Sequence, residues 1–198
     1  MIIVDVEATG LNVTECSLLS IGAICLEEPE KTFYGECRIW EGAIINEEVP
    51  EITGFSIEAM QDPNKPTVKE LLGKYIEWTQ QFEDRTHGGS SVGFDAFLLE
   101  NEAQRWGFGT PFSYRVVDLH ALAYVKYLKL NGKPYVVDGK SKLGLRGTLE
   151  FVGMEDNRKI HNALEDAKLT AEAMSRIIYG QNLLPEYKQY DIPDFLKD

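Results

Sequence analysis

With 198 residues, 43% of them hydrophobic, the chain has the size of one ordinary domain with a sizeable core. No run of about 18 apolar residues occurs, so no transmembrane helix is expected, and three cysteines (Cys16, Cys25, Cys37) fit neither a zinc spacing nor a closed disulfide set, which points to a reducing cytoplasm. A formal charge of −12 argues against broad, sequence-independent nucleic-acid binding through lysine and arginine alone.

The opening MIIVDVEATG is apolar but has no basic leader and carries an acid at position five, so it reads as a buried strand, not a signal peptide. Leu18–Leu26 is a second apolar run with a glycine inside it. Lys31–Trp40 partly alternates and is rich in aromatics, as a half-buried strand should be. Together these three segments predict an antiparallel meander. From Glu47 the pattern turns helical. Val68, Leu71, Leu72, Tyr75, Ile76 and Trp78 lie close to a 3.6-residue stripe within 66–82, and Thr67 with Glu70 makes a capping box.

The Gly/Ser-rich stretch 87–93 leads into a helix over 95–106, stopped by Gly107. Residues 115–117 are a short β-branched run, and Asp118 reads as the N-cap of a helix over 119–130. Residues 131–141 are turn-rich and predict a mobile loop; 143–151 is weakly helical. Asn162–Tyr179 has helical spacing throughout and ends at Gly180. This divides the chain into a main domain, 1–180, and a tail, 181–198, that either wraps the surface or reaches a partner. Strands first, then helices alternating with short strands, imply a mixed sheet flanked by helices.

Asp5 and Glu7 lie two apart on a strand, so both carboxylates leave the same face. A bare Asp-x-Glu is common and usually solvated. On a strand as apolar as MIIVDV, however, the pair would repel and resist burial, a conflict that hard divalent cations with oxygen ligands resolve. Two such ions would also return four positive charges to an acidic chain at the place where a phosphate would sit. Ala8, Thr9, Gly10 and Leu11 follow, small and flexible, allowing close backbone approach to a ligand with Leu11 as a wedge.

Asp95, after Phe94, falls at the start of a helix, as an N-cap, a first-turn acid or both. His161 and Asp166 are five residues apart, about 140° on a helix, so they cannot share one helical face. If they serve one site, His161 must stand on the loop before the helix and Asp166 on its first turns, with Asn162 as the cap between them. Glu165 then points to solvent.

Three segments resemble, in order, the three motifs of the DEDDh (DnaQ-like) 3′–5′ exonucleases: DVEATGL, GFDAFLLENEAQRWG and HNALEDAKLTAEAM. IINEEVPEITGFSIEAMQD and VVDLHALAYV are similar to intervening segments of that family, so the resemblance spans roughly 1–178. The stretch HGGSSVGFD departs from the family, since it lacks the His-Asn that many members carry before the second-motif Asp.

The resemblance implies a ribonuclease-H-like α/β fold: a five-stranded mixed sheet with helices on both faces. It implies that Asp5, Glu7, Asp95 and Asp166 hold two Mg²⁺ or Mn²⁺ ions and that His161 deprotonates the attacking water. Nucleoside 5′-monophosphates would leave a single-stranded 3′ end or a short oligonucleotide. Ala8, Thr9, Gly10, Leu11, Phe94 and His161 would line the substrate. Lys126, Lys129, Lys133, Lys140, Lys142 and Arg146, around the 131–141 loop, are as well suited to guiding a phosphate backbone as to lying solvated. Two alternatives stay open: a non-catalytic interaction module on the same scaffold, and a proofreading-type subunit of a polymerase or repair assembly. A homodimer or a protein partner reached through the tail is also compatible with the sequence.

Overall fold

A computed structural model describes residues 1–197. Its centre is a five-stranded sheet in the order β3-β2-β1-β4-β5, with β1 Ile2–Ala8, β2 Leu18–Cys25, β3 Thr32–Glu36, β4 His87–Gly89 and β5 Val116–Asp118. β1, β2 and β3 pair antiparallel, as the meander predicts. β4 and β5 then add in parallel to β1. The sheet is therefore mixed and helix-flanked, the ribonuclease-H-like arrangement implied by the sequence.

The period-2 alternation of β1 divides the core. Ile2, Val4 and Val6 face one layer, formed by α3 (Val68–Thr79) and α4 (Gly93–Arg105). Ile3 faces the other, formed by α5 (Leu119–Asn131), α6 (Leu145–Phe151) and α7 (Ala163–Tyr179). Asp5 and Glu7 share the parity of Ile3 and so are directed toward the α7 layer. Two short helices, α1 (Val49–Thr53) and α2 (Ile57–Met60), bring Val49 and Met60 against Leu19 of β2. The capping box at Thr67 and Glu70 is formed, as is the Asp118 cap, whose Oδ1 accepts from the Ala121 N–H at 3.1 Å.

Three local expectations are corrected. The glycine-rich lead into α4 contains β4, a fully buried strand. A Cβ at Gly88 would come 2.7 Å from Ile3 Cδ1, and one at Gly89 would come 2.8 Å from the Val4 carbonyl. Glycine there is thus a packing requirement of a strand wedged between neighbours, not a turn signal. Asp95 is not the N-cap of α4; Val92 holds that position and Asp95 lies in the first turn.

Within 131–141, Val136–Val137 (β6) and Lys140–Ser141 (β7) pair into a hairpin. Asp138 and Gly139, both at positive φ (51° and 74°), supply the two-residue turn that Asp-Gly favours.

The tail packs back on the chain. Arg176 and Glu172 form a fully buried ion pair at 2.9 Å on α7. Glu172 Oε2 accepts from the Leu183 and Leu184 N–H groups, both at 2.8 Å. Arg176 Nη2 donates to the carbonyls of Tyr187 and Tyr190. The pair thus satisfies its own charges and pins residues 181–190. Among the described residues, no helix is long and apolar enough to cross a membrane.

Candidate active site

Asp5 and Glu7 stand on the central strand, opposite Gly22 and Ser20 of β2. Asp95 reaches β1 from the first turn of α4, its Oδ1 accepting the Val6 N–H at 3.0 Å. Asp166 lies in the first turn of α7, almost wholly buried. His161 lies on the preceding loop, where its N–H donates to the Ile52 carbonyl at 2.8 Å. Asn162 caps α7 by accepting from the Leu164 and Glu165 N–H groups. This is the loop-plus-first-turn placement that the 140° argument requires. Glu165 is exposed and pairs with Lys168.

Ligand atoms of Glu7, His161 and Asp166 all lie within 4.8 Å of one another. His161 Nδ1 is 3.5 Å from Asp166 Oδ2, with its side chain half exposed. Asp5 and Asp95 act on the same cluster through charge. Burial, then the charges of Asp95, Asp166 and Glu7, hold the Asp5 carboxyl well above the usual carboxylate range. Burial, then Asp166 and Asp95, push Glu7 up to about 8. Burial pushes Asp95 up to about 7, and burial raises Asp166 despite the opposing Arg158 cation.

A cluster of acids that disfavours its own ionisation lacks positive charge. Glu7 Oε1 and Asp166 Oδ1 are buried without any hydrogen-bond partner. Such orphaned atoms, in a donor set of carboxylate oxygens and one imidazole, fit a hard divalent cation.

The segment after β1 divides. Thr9 is fully buried; its Oγ1 donates to the Ile44 carbonyl and accepts from the Ser17 N–H. Its backbone N–H and carbonyl are also paired, with Ser17 and Asn46, so Thr9 shapes the turn and offers nothing outward. Ala8 and Gly10 are half-buried, while Leu11 is 83% exposed. Phe94 packs against the α3/α4 layer.

Two residues of the site were not singled out from the sequence. One is Arg158, whose Nη1 donates to Asp166 Oδ2 at 2.8 Å; a lone arginine in a loop carries no pattern that marks it. The other is Gly22, paired with Asp5. A Cβ there would overlap the backbone of Ala163 and Leu164. Glycine at this point lets the start of α7 lie directly on β2 and so sets Asp166 beside β1. A glycine inside an apolar strand is the signal for such an approach.

Gly22→Ala is expected to cost about 1–3 kcal/mol, as overpacking does, and to weaken the rise in melting temperature that Mn²⁺ induces. A variant that melts like the wild type and gains the same Mn²⁺ stabilisation would contradict this.

The exonuclease family model RNase_T matches residues 2–174. DNA polymerase III subunit epsilon of Aquifex aeolicus (strain VF5) is 28% identical over 177 residues, covering 89% of this chain and 79% of that protein. Among solved structures, the nuclease domain of 3′hExo, a DEDDh family member bound to rAMP, superposes with a TM-score of 0.63 at 16% identity, covering 98% of this chain and 95% of that one. The zinc-bound E. coli ExoI–ssDNA complex superposes with a TM-score of 0.71 at 16% identity, covering 89% of this chain. The chain spans only 39% of that ExoI chain. At such identities the structural likenesses speak to the fold.

Proposed function

The chain belongs to the exonuclease family, as a DEDDh (DnaQ-like) member with a ribonuclease-H-like fold, and from that membership we propose that Asp5, Glu7, Asp95 and Asp166 hold two Mg²⁺ or Mn²⁺ ions while His161 serves as general base. The protein is a metal-dependent 3′–5′ exonuclease acting on nucleic acid. Its substrate in this reading is a single-stranded 3′ end or a short oligonucleotide, and its product a nucleoside 5′-monophosphate. When bound, the divalent ions supply positive charge at the scissile phosphate and lower the cost of deprotonating water.

The chain's own residues do the rest. The carboxylates set where the positive charge sits. His161, with Nδ1 toward Asp166, keeps Nε2 free to take a proton from the attacking water. As the water oxygen bonds to phosphorus, the P–O3′ bond breaks; O3′ keeps the electron pair and takes a proton from solvent. Exposed Leu11 offers an apolar surface for the terminal base, and Ala8 and Gly10 leave room for the sugar beneath it.

The observation that carries this reading is the gathering of acids from three distant parts of the chain, with two buried carboxylate oxygens left unpaired. The test is incubation of RNA and DNA oligonucleotides, labelled at either end, with Mn²⁺ or with EDTA. A 3′ label should leave first as mononucleotide, a 5′ label should report stepwise shortening, and EDTA should stop both. Release from the 5′ end, or cleavage indifferent to EDTA, would refute the proposal.

The likeness to a polymerase III epsilon subunit favours one second reading, a proofreading role within a polymerase assembly. Faster removal of a mismatched than of a paired primer terminus would support it; equal rates would not.

A further inference from the structure

We propose that Arg158, held by Asp156, is a positioning residue that locks Asp166 in its metal-binding orientation; this rests on the reading of Asp166 as a ligand. Asp156 grips the guanidinium with both oxygens: Oδ1 accepts from Nε and Oδ2 from Nη2, each at 2.8 Å. The Arg158 N–H also donates to Asp156 Oδ1, at 3.2 Å. The remaining edge of the fork, Nη1, donates to Asp166 Oδ2 at 2.8 Å. All three side chains are largely buried, 12% exposed for Asp156, 15% for Arg158 and 3% for Asp166.

The two oxygens of Asp166 are thereby made unequal. Oδ2 meets Arg158 and, at 3.5 Å, His161. Oδ1 is buried and has no partner. A carboxylate on the first turn of a helix, near Glu7, would otherwise rotate to relieve repulsion. The planar fork prevents this because it binds two carboxylates at once, which a lysine ammonium cannot do with the same geometry. Asp156 also cancels the charge of Arg158, so the hold on Asp166 brings little net positive charge to a site meant for cations.

If Arg158 mattered only as a charge, Arg158→Met would remove a cation from the site, leave Asp156 unneutralised, and tighten divalent binding. As a clamp, its loss should weaken binding. Removing a group that orients a metal ligand costs about 10–100-fold in affinity.

The experiment is Mn²⁺ titration calorimetry on the wild type, Arg158→Met, Arg158→Lys and Asp156→Asn, with circular dichroism to check folding and the labelled-oligonucleotide assay in parallel. Arg158→Met should bind Mn²⁺ about 10-fold or more weaker. Arg158→Lys should recover part of the loss. Asp156→Asn, which leaves the Arg158–Asp166 contact in place but loosens its support, should lose less. Should Arg158→Met not fold, Arg158→Lys decides the matter, because it keeps the charge and removes only the fork: a purely electrostatic role leaves Mn²⁺ affinity unchanged, whereas a clamp loses part of it.

Wild-type or tighter affinity in folded Arg158→Met, or, failing that variant, unchanged affinity in Arg158→Lys, overturns the proposal. A wild-type chain that binds Mn²⁺ but cleaves neither RNA nor DNA would sink the exonuclease mechanism while the affinity series still judged the clamp.

Discussion

Asp5→Asn is expected to abolish metal-dependent cleavage and, at the same time, to stabilise the metal-free protein. The amide keeps the volume of the side chain but removes an anionic ligand from the central strand. Loss of one group from a preorganised electrostatic site costs up to about 10³-fold in rate, and here the group also helps to gather the metal. The stabilisation follows from the same charges. Asp5 is held well above its ordinary range by burial and by Asp95, Asp166 and Glu7, so the native metal-free state must either keep a proton there or bear their repulsion, and each costs stability that the unfolded chain does not lose. Relief of about 1 kcal/mol would raise the melting temperature by about 2–4 °C in a domain of this size.

The pH dependence has a definite sign. With Glu7 near 8 and Asp95 near 7 in the folded chain, the native state keeps protons that the unfolded state has already released, since unfolded carboxyls titrate at about 4. The stability that these two acids contribute is then fully present below their unfolded values and is lost as pH rises toward 8. In EDTA the melting temperature should fall between pH 5 and pH 8, and Asp5→Asn should flatten that fall. Saturating Mg²⁺ should remove most of it, because the metal takes the place of the protons. A melting temperature that climbs with pH in EDTA would contradict the account.

The second large effect is expected at His161. His161→Ala should lower kcat by about 10²–10⁴-fold, the range for a general base, with Mn²⁺ affinity close to the wild type. Its imidazole lies close enough to Glu7 and Asp166 to be a ligand itself, so the two measurements separate the roles. Equal loss of rate and of Mn²⁺ affinity would make His161 a ligand and leave the base unassigned. Its anchorage supports the first outcome. At His161 itself the backbone is tethered by one hydrogen bond, its N–H to the Ile52 carbonyl, and the side chain is half exposed, which leaves the ring free to meet a substrate.

Much of the fold was legible in the residues because it is local. Alternation along β1 is enough to put Asp5 and Glu7 on one face. Thr67 and Glu70 announce the start of α3, Asn162 and Gly180 bound α7, and the angular step of a helix is enough to keep His161 off it. Each of these depends on neighbours within one turn or one pleat.

What the chain order alone left undetermined depends on which groups the fold brings together. His87–Gly89 reads as a turn because its glycines lack β-propensity; only the crowding of Ile3 and Val4 makes them a strand. Glu172 and Arg176 are charged residues of α7, yet they are buried because the tail folds over them. Gly22 and Arg158 carry no periodic signal at all. One matters through the backbone of α7 lying against it, the other through carboxylates two and eight residues along the chain that the loop before α7 folds onto its guanidinium. The residue types thus determined that acids and a histidine were available and how each is presented locally. The tertiary structure decided which of them meet, since close approach and burial, unlike helical or strand direction, are properties of pairs and not of residues.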